Sequence, residues 1–258
     1  MKVALISVIM TLMQFRSASQ AVQSALFHKV LVSRATIMTS QRLESAVIPL
    51  NNFQTLRCST ICISLSWSDL WCSDASTGQC LFSNMIVMPG YVGGTSADDV
   101  LTCYTRRPRD MATNAVIQAT ISNYNTPSRV KENLVDGIYD RQTLDSCYTS
   151  EKSETNHWFV LDFGVPLTVR SVRLFSQPGG TAYMVTYLAN LEARVGMSPV
   201  NTPGDFSSYA FFGIYLGPAS SFSQEIVIEA QAPMTARFLS VQKVSGTDYT
   251  QICHLEIH

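Results

Sequence analysis

The sequence predicts a mainly β protein, a sandwich of short strands over residues 108–258 preceded by a small disulfide-rich α+β unit over 20–107. Three observations predict it. From Asp110 onward, short alternating apolar runs are separated by Gly, Pro and Ser turns, with no sustained helical period. Five of the seven cysteines crowd between Cys58 and Cys103, the pattern of a stapled module with little core of its own. The stretch from Glu132 to Gly164 combines a turn, a polar run with one cysteine and a strongly alternating strand, and the rest of the chain is organised around it.

Residues 1–19 are set aside as a signal peptide: Lys2 supplies the positive end, Val3 to Phe15 is mostly apolar, and Ser17-Ala18-Ser19 offers small residues for cleavage. Removing Lys2 and Arg16 changes the formal charge from −1 to −1 − 2 = −3. Neither value argues for nucleic acid or an anionic membrane surface as partner. No stretch reaches the roughly 18 consecutive apolar residues of a membrane span. An oxidising compartment, a secreted protein and paired cysteines follow as expectations. No asparagine sits in a glycosylation sequon.

In chain order, Val30, Val32 and Ile37 suggest a first strand. Residues 52–66 suggest a helix on which Cys58 and Cys62, four apart, share a face. Cys72 and Cys80 suggest a hairpin beside it. A thiolate metal site is a poor reading, since no His lies near. Arg106-Arg107-Pro108-Arg109 reads as a basic linker and a domain boundary. Beyond it, strands are expected at 169–175, 191–195, 211–216, 226–228, 238–241 and 252–257. The organising strand places Phe159, Leu161 and Phe163 on one face and Trp158, Val160 and Asp162 on the other, stopping at Gly164.

The order N-x-V-D-G at Asn133–Gly137, then Ser146-Cys147, then His157-Trp158-Phe159-Val160-Leu161-Asp162-Phe163-Gly164, resembles the discoidin-type (F5/8 type C) sandwich, and within it the F-type lectin (fucolectin-like) branch. Glu192 to Pro199, Ala236 to Val241 and Cys253 to Ile257 are similar to further strands of that family. The resemblance implies a galactose-binding-like β-sandwich (jelly roll), a carbohydrate-binding and non-enzymatic role, and a Cys147–Cys253 disulfide. Closing that loop would contribute about 4–5 kcal/mol in the chain-entropy picture. The cysteine helix and hairpin resemble a PAN/apple module, which implies Cys58–Cys80 and Cys62–Cys72 and leaves Cys103 odd, free or joined to a second chain.

The same resemblance implies a structural calcium ion held by Asn133, Asp136, Ile138, Ser146 and the carbonyl of Cys253, although His254 stands where the family usually has Glu. The family's fucose-binding set is missing: Thr149 occupies the His position, and Ser176-Gln177-Pro178-Gly179-Gly180 carries no Asp or Arg. Tyr148, Thr149, Lys152, Gln177, Tyr183 and Tyr187 are the candidates for a different ligand site on those loops. Catalysis has no motif: there is no H-E-x-x-H, no G-x-S-x-G and no phosphate-cradling glycine loop. Two roles therefore stand: a lectin for extracellular glycans, or a secreted adhesion or structural protein that binds protein partners through its PAN-like unit or a Cys103-linked dimer.

Overall fold

The computed structural model describes residues 27–48, 54–93, 99–120, 128–151, 156–246 and 248–258. Residues 1–19 and Lys152 lie outside these ranges. The N-terminal unit is one antiparallel sheet of β1 (His28–Ser33), β2 (Leu43–Val47), β3 (Leu70–Asp74), β4 (Gln79–Ser83) and β6 (Val100–Thr105), in the order β1-β6-β3-β4-β2. The first strand ends earlier than its apolar pattern suggests. The Ser33 hydroxyl accepts from the backbone N–H of Thr36 at 3.0 Å and caps the short helix α1 (Arg34–Met38), so Ile37 is a buried helical residue. Helix α2 (Gln54–Ser64) carries Cys58 and Cys62, both buried.

Strand alternation decides the disulfides here. Cross-strand partners share a face, so Trp71 opposite Phe82 and Ser73 opposite Cys80 look toward α2, whereas Cys72 opposite Cys103 looks the other way. Phe27, Cys58, Cys62, Trp71, Cys80 and Phe82 form the cluster under α2; Val30, Val32, Leu70, Cys72, Leu81 and Cys103 form the cluster on the far face. Cys58 is accordingly bridged to Cys80, and Cys72 to Cys103. The Cys62–Cys72 pairing implied by resemblance is therefore corrected, because the sheet stands between the two thiols. Cys103 is neither free nor available for a covalent dimer. The free cysteine is Cys62, buried beside the Ser68 hydroxyl at 3.5 Å, and burial pushes its thiol pKa up.

The C-terminal unit is built on two long antiparallel strands, β10 (Trp158–Phe175) and β13 (Glu225–Lys243). Register shifts between Asp162 and Leu167 and between Val169 and Ser171 bend the pair, with Gly164 at positive φ. Each strand thus serves both halves of the sandwich. Near their first bend, β10 pairs with β7 (Val116–Ala119), and β13 pairs with β11 (Leu191–Gly196), whose outer neighbour is β12 (Ala210–Tyr215). Past it, residues 172–175 of β10 pair with β15 (His254–Ile257). Phe159, Leu161, Val172, Leu174, Ala193, Val195, Ile226, Leu239, Val241 and Leu255 fill the space between. The separate strands expected at 226–228 and 238–241 are one bent strand, because the intervening Gln231 to Met234 stays extended.

The segment around Arg106–Arg109 separates the two sheets but is no solvated linker. Strand β5 (Ile86–Val87) pairs with β8 (Ile138–Tyr139), and the Met88 N–H donates to the Gly137 carbonyl at 2.8 Å. Ile86, Met88, Tyr139, Phe175 and the third disulfide, Cys147–Cys253, pack as one buried cluster across the junction. Arg107 is largely buried there, 3.4 Å from Asp69, 3.5 Å from Glu225 and 3.4 Å from the fully buried Glu256. Burial alone would raise the Glu256 carboxyl, but the His258 hydrogen bond and the Arg107 charge outweigh it and hold the pKa below its ordinary value.

Two outcomes follow from this packing. Arg107→Met strands the Glu256 charge in the junction and should destabilise the fold by about 3–5 kcal/mol, read as a lowered urea midpoint. A thiol reagent should find no reactive cysteine in the native protein and one after unfolding without reductant; a reactive native thiol would contradict the burial of Cys62.

Candidate functional site

Two clefts mark the surface of the sandwich. The smaller, about 260 Å³, lies on the outer face of β10 and β13 and is walled by Trp158, Val160, Tyr209 and Phe238. Its charged pair is internally satisfied, since Arg237 donates to both Asp162 oxygens at 2.7 and 2.8 Å. The larger, about 630 Å³, lies where the rim loops converge. Its floor is the two-stranded ladder of β9 (Tyr148–Thr149) and β14 (Gln251–Ile252), in which Thr149 stands opposite Gln251. The Cys147–Cys253 bridge joins the residues that immediately precede β9 and follow β14.

The walls are aromatic. Residues 182–187 form a 3-10 turn that presents Tyr183, Met184 and Tyr187. Tyr183 packs edge-on against Tyr187 with centroids 6.1 Å apart, and Tyr187 against Tyr249 at 5.4 Å. Tyr183 is 64% exposed. The Tyr187 hydroxyl is pushed up to about 12 by burial, reinforced by Tyr183 and Asp248. At the rim, Arg129 is paired with Asp145 at 3.2 Å, whereas Asp248 makes no ion pair among the described residues.

The floor is polar and unsatisfied. Thr149 is 4% exposed and Gln251 2% exposed, yet Thr149 Oγ1 and Gln251 Nε2 have no hydrogen-bond partner among the described residues. Buried polar atoms without partners are uncommon and costly, of the order of 1–3 kcal/mol each. Here both sit on residues that line one cleft.

Of the six residues nominated from sequence, the structure gathers Thr149, Tyr183 and Tyr187 in this cleft. Tyr148 does not line it. As the neighbour of Thr149 on a strand it turns inward, and its hydroxyl meets Thr120 Oγ1 at 2.9 Å within the sandwich core. Gln177 is buried at the root of its loop, where its carbonyl accepts from the Ser223 N–H at 2.8 Å, and it is absent from the cleft lining. Arg129, Met184, Thr186, Asp248, Tyr249 and Gln251 complete the site and carry no signal used in the sequence reading. Asp248 and Tyr249 follow a strand end just as the nominated loops do, and that position was their readable signal.

The residues implied for calcium offer an incomplete set. Asp136 is a half-buried carboxyl, pushed up to about 7 by desolvation while the Ile138 N–H at 3.0 Å opposes the rise. Asn133 Nδ2 donates to the Ser128 and Asp145 carbonyls, and the Ser146 hydroxyl donates to the Thr143 carbonyl. Ile138 is a strand residue paired with Val87, and Cys253 N–H is bonded to the Phe175 carbonyl. His254 is fully buried between Tyr139 and Phe175 and pushed down to about 4 by burial, so it stands neutral and supplies no oxygen. No group of three or more His, Cys, Asp or Glu side chains suited to a metal occurs among the described residues. The set brings one carboxylate to the six to eight oxygens calcium takes, the rest having to come from carbonyl, amide and hydroxyl oxygens, and no step below uses the ion.

No protein-family model matches the chain, and no curated protein matches it. Solved structures similar to it are F-type lectin and discoidin-like carbohydrate-binding domains. A fucolectin from the serum of Morone saxatilis (striped bass) is 18% identical with a TM-score of 0.48, over 58% of this chain and 48% of that one. The chain thus spans about half the length of that lectin. The lectin domain of lectinolysin, complexed with Lewis B antigen, is 14% identical with a TM-score of 0.45, over 59% of this chain and 97% of the domain. A family 32 carbohydrate-binding module of C. perfringens NanJ, in complex with galactose, is 12% identical with a TM-score of 0.41, over 55% and 91%. At these identities and scores they assign no ligand and no residue role to this chain.

The Asp136 geometry has a pH consequence. A carboxyl raised in the folded state binds more protons than the unfolded chain between about pH 4 and pH 7, so stability falls as pH rises through that window. Asp136→Asn keeps the acceptor for Ile138 N–H and removes the desolvated charge. At pH 8 it should stabilise the protein by about 2–4 kcal/mol, with no gain at pH 4, as measured by urea unfolding at both values.

Proposed function

We propose that this chain is a secreted, non-catalytic carbohydrate-binding protein whose saccharide site is the tyrosine-walled cleft. The observation that carries this reading is the pairing of Tyr183, Tyr187 and Tyr249 with the buried, unpartnered Thr149 Oγ1 and Gln251 Nε2. A sugar ring offers apolar C–H patches to an aromatic wall and hydroxyls to fixed polar atoms, so both halves of the cleft match one ligand class. Asp248 is the only carboxylate lining the cleft among the described residues, which gives no basis for the paired carboxylates of glycoside hydrolysis. The ligand is not held in the fucose mode, because Thr149 stands at the His position and residues 176–180 bring neither Asp nor Arg. Secretion is supported by the three disulfides and by the signal-peptide-like pattern of Lys2, the apolar run Val3 to Phe15 and Ser17-Ala18-Ser19. The PAN/apple resemblance of the N-terminal unit belongs to the same proposal, supported by helix α2 and its Cys58–Cys80 bridge to the β3–β4 hairpin.

The test is a printed glycan array probed with the oxidised mature protein, with calcium and with excess chelator. Selective binding that persists in chelator is the expected result. Tyr183→Ala and Gln251→Leu should each weaken it about tenfold or more, equivalent to about 1.4 kcal/mol. Wild-type protein that binds nothing, or variants that bind as well as wild type, would remove the cleft from consideration.

A further inference from the structure

A single buried cation organises the walls of this cleft. Lys243 ends β13, and its main chain is pinned on both sides: its N–H donates to the His157 carbonyl at 2.7 Å, and the next N–H, of Val244, donates to the Asn190 carbonyl at 2.9 Å. The residue is only 3% exposed, and its side chain runs inward on the parity of Leu239 and Val241. Its ammonium has no side-chain hydrogen-bond partner. It lies 3.3 Å from the carbonyl of Tyr187, 3.2 Å from that of Asp248 and 3.0 Å from that of Tyr249. An ammonium has three N–H donors and no acceptor, so three carbonyls exhaust it.

Those three carbonyls belong to the two loops that carry the aromatic walls. Tyr187 closes the 3-10 turn on one side; Asp248 and Tyr249 lead into β14 on the other. The Tyr187 and Tyr249 rings of the two loops meet with centroids 5.4 Å apart. A charge at the end of a core-facing strand is expensive unless it has work that water cannot do. Here it does what a carbonyl-ligated ion would do, gathering oxygens from two separate segments around one point.

We propose that Lys243 is the positioning residue of the cleft, an internal cation that sets the spacing of Tyr187 and Tyr249 and so the width available to a ligand. The role in ligand binding rests on the saccharide reading above; the tethering of the two loops does not. Lys243→Met keeps the length and apolar stem and removes the donors. Lys243→Arg restores a cation with donors in a different fork.

The experiment combines backbone hydrogen exchange, read by mass spectrometry on free protein, with the same glycan array. In Lys243→Met, exchange should accelerate at least tenfold in peptides covering 183–190 and 248–252, while peptides from 158–162 and 238–241 keep wild-type rates. Array signal should fall at least tenfold, and Lys243→Arg should recover part of both. Unchanged exchange in the two loops, or acceleration shared equally by the core peptides, would overturn the proposal, since the second is what a merely structural lysine would show. If no form of the protein binds a glycan while the selective acceleration is present, the tether stands and the saccharide reading fails. Should Lys243→Met not fold, nitrogen-15 spectra of the wild type decide: a slowly exchanging Lys243 ammonium supports the tether, and one exchanging at the rate of surface lysines overturns it.

Discussion

The disulfide between Cys147 and Cys253 is the constraint on which the rest depends. It joins residues 106 apart in sequence and lies in the buried cluster that spans the junction of the two units. On one side its neighbours Tyr148 and Ile252 enter the sandwich core, and Thr149 and Gln251 floor the cleft. On the other, Ile86 and Met88 reach it from the N-terminal unit. Closing so long a loop restricts the unfolded chain far more than the folded one, a contribution of about 4–5 kcal/mol in the entropic picture. The same bond fixes the register of a two-residue ladder that has too few hydrogen bonds to hold itself.

The cleft is a composite of three kinds of support. Its floor is held covalently, its walls stand on rings packed edge to face, and its two loops meet at an ammonium. None of these is a metal. Thr149 Oγ1 and Gln251 Nε2 stand without partners among the described residues, while Arg129 at the rim has its own partner in Asp145. The other cleft shows the contrast: its Arg237–Asp162 pair is closed on itself, and the concavity around it is chiefly aromatic and aliphatic.

Much of this was legible in the residues, and the failures have a common cause. Alternation from Trp158 to Phe163 placed Phe159 and Leu161 in the core before any coordinates, and the hairpin bearing Cys72 and Cys80 could be drawn from its spacing. The Cys62–Cys72 pairing that the PAN/apple resemblance implies fails because Cys72 stands on the face of the sheet turned away from helix α2. Tyr148 was misjudged in the same way, since adjacent residues on a strand point oppositely and only Thr149 faces the cleft. Parity also held an unread clue. Lys243 falls on the face of Leu239 and Val241, and a charge at a core position is a signal that something must be bound there. The bends in β10 and β13 were not readable, because a bulge leaves both flanking segments looking like ordinary strands.

The shared ladder of β5 and β8 bears on how such a module can travel between proteins. Here the Tyr139 strand takes its partner from the N-terminal unit, Glu256 takes its counter-charge from Arg107, and Phe175 is covered by Ile86 and Met88. Excised at residue 108, the sandwich would carry an unpaired strand, a buried carboxylate stripped of its Arg107 charge and left with His258 alone, and a bare apolar face. The two units are therefore one inheritable object: gene fusion or shuffling could transplant them together, but not the ligand-bearing half alone.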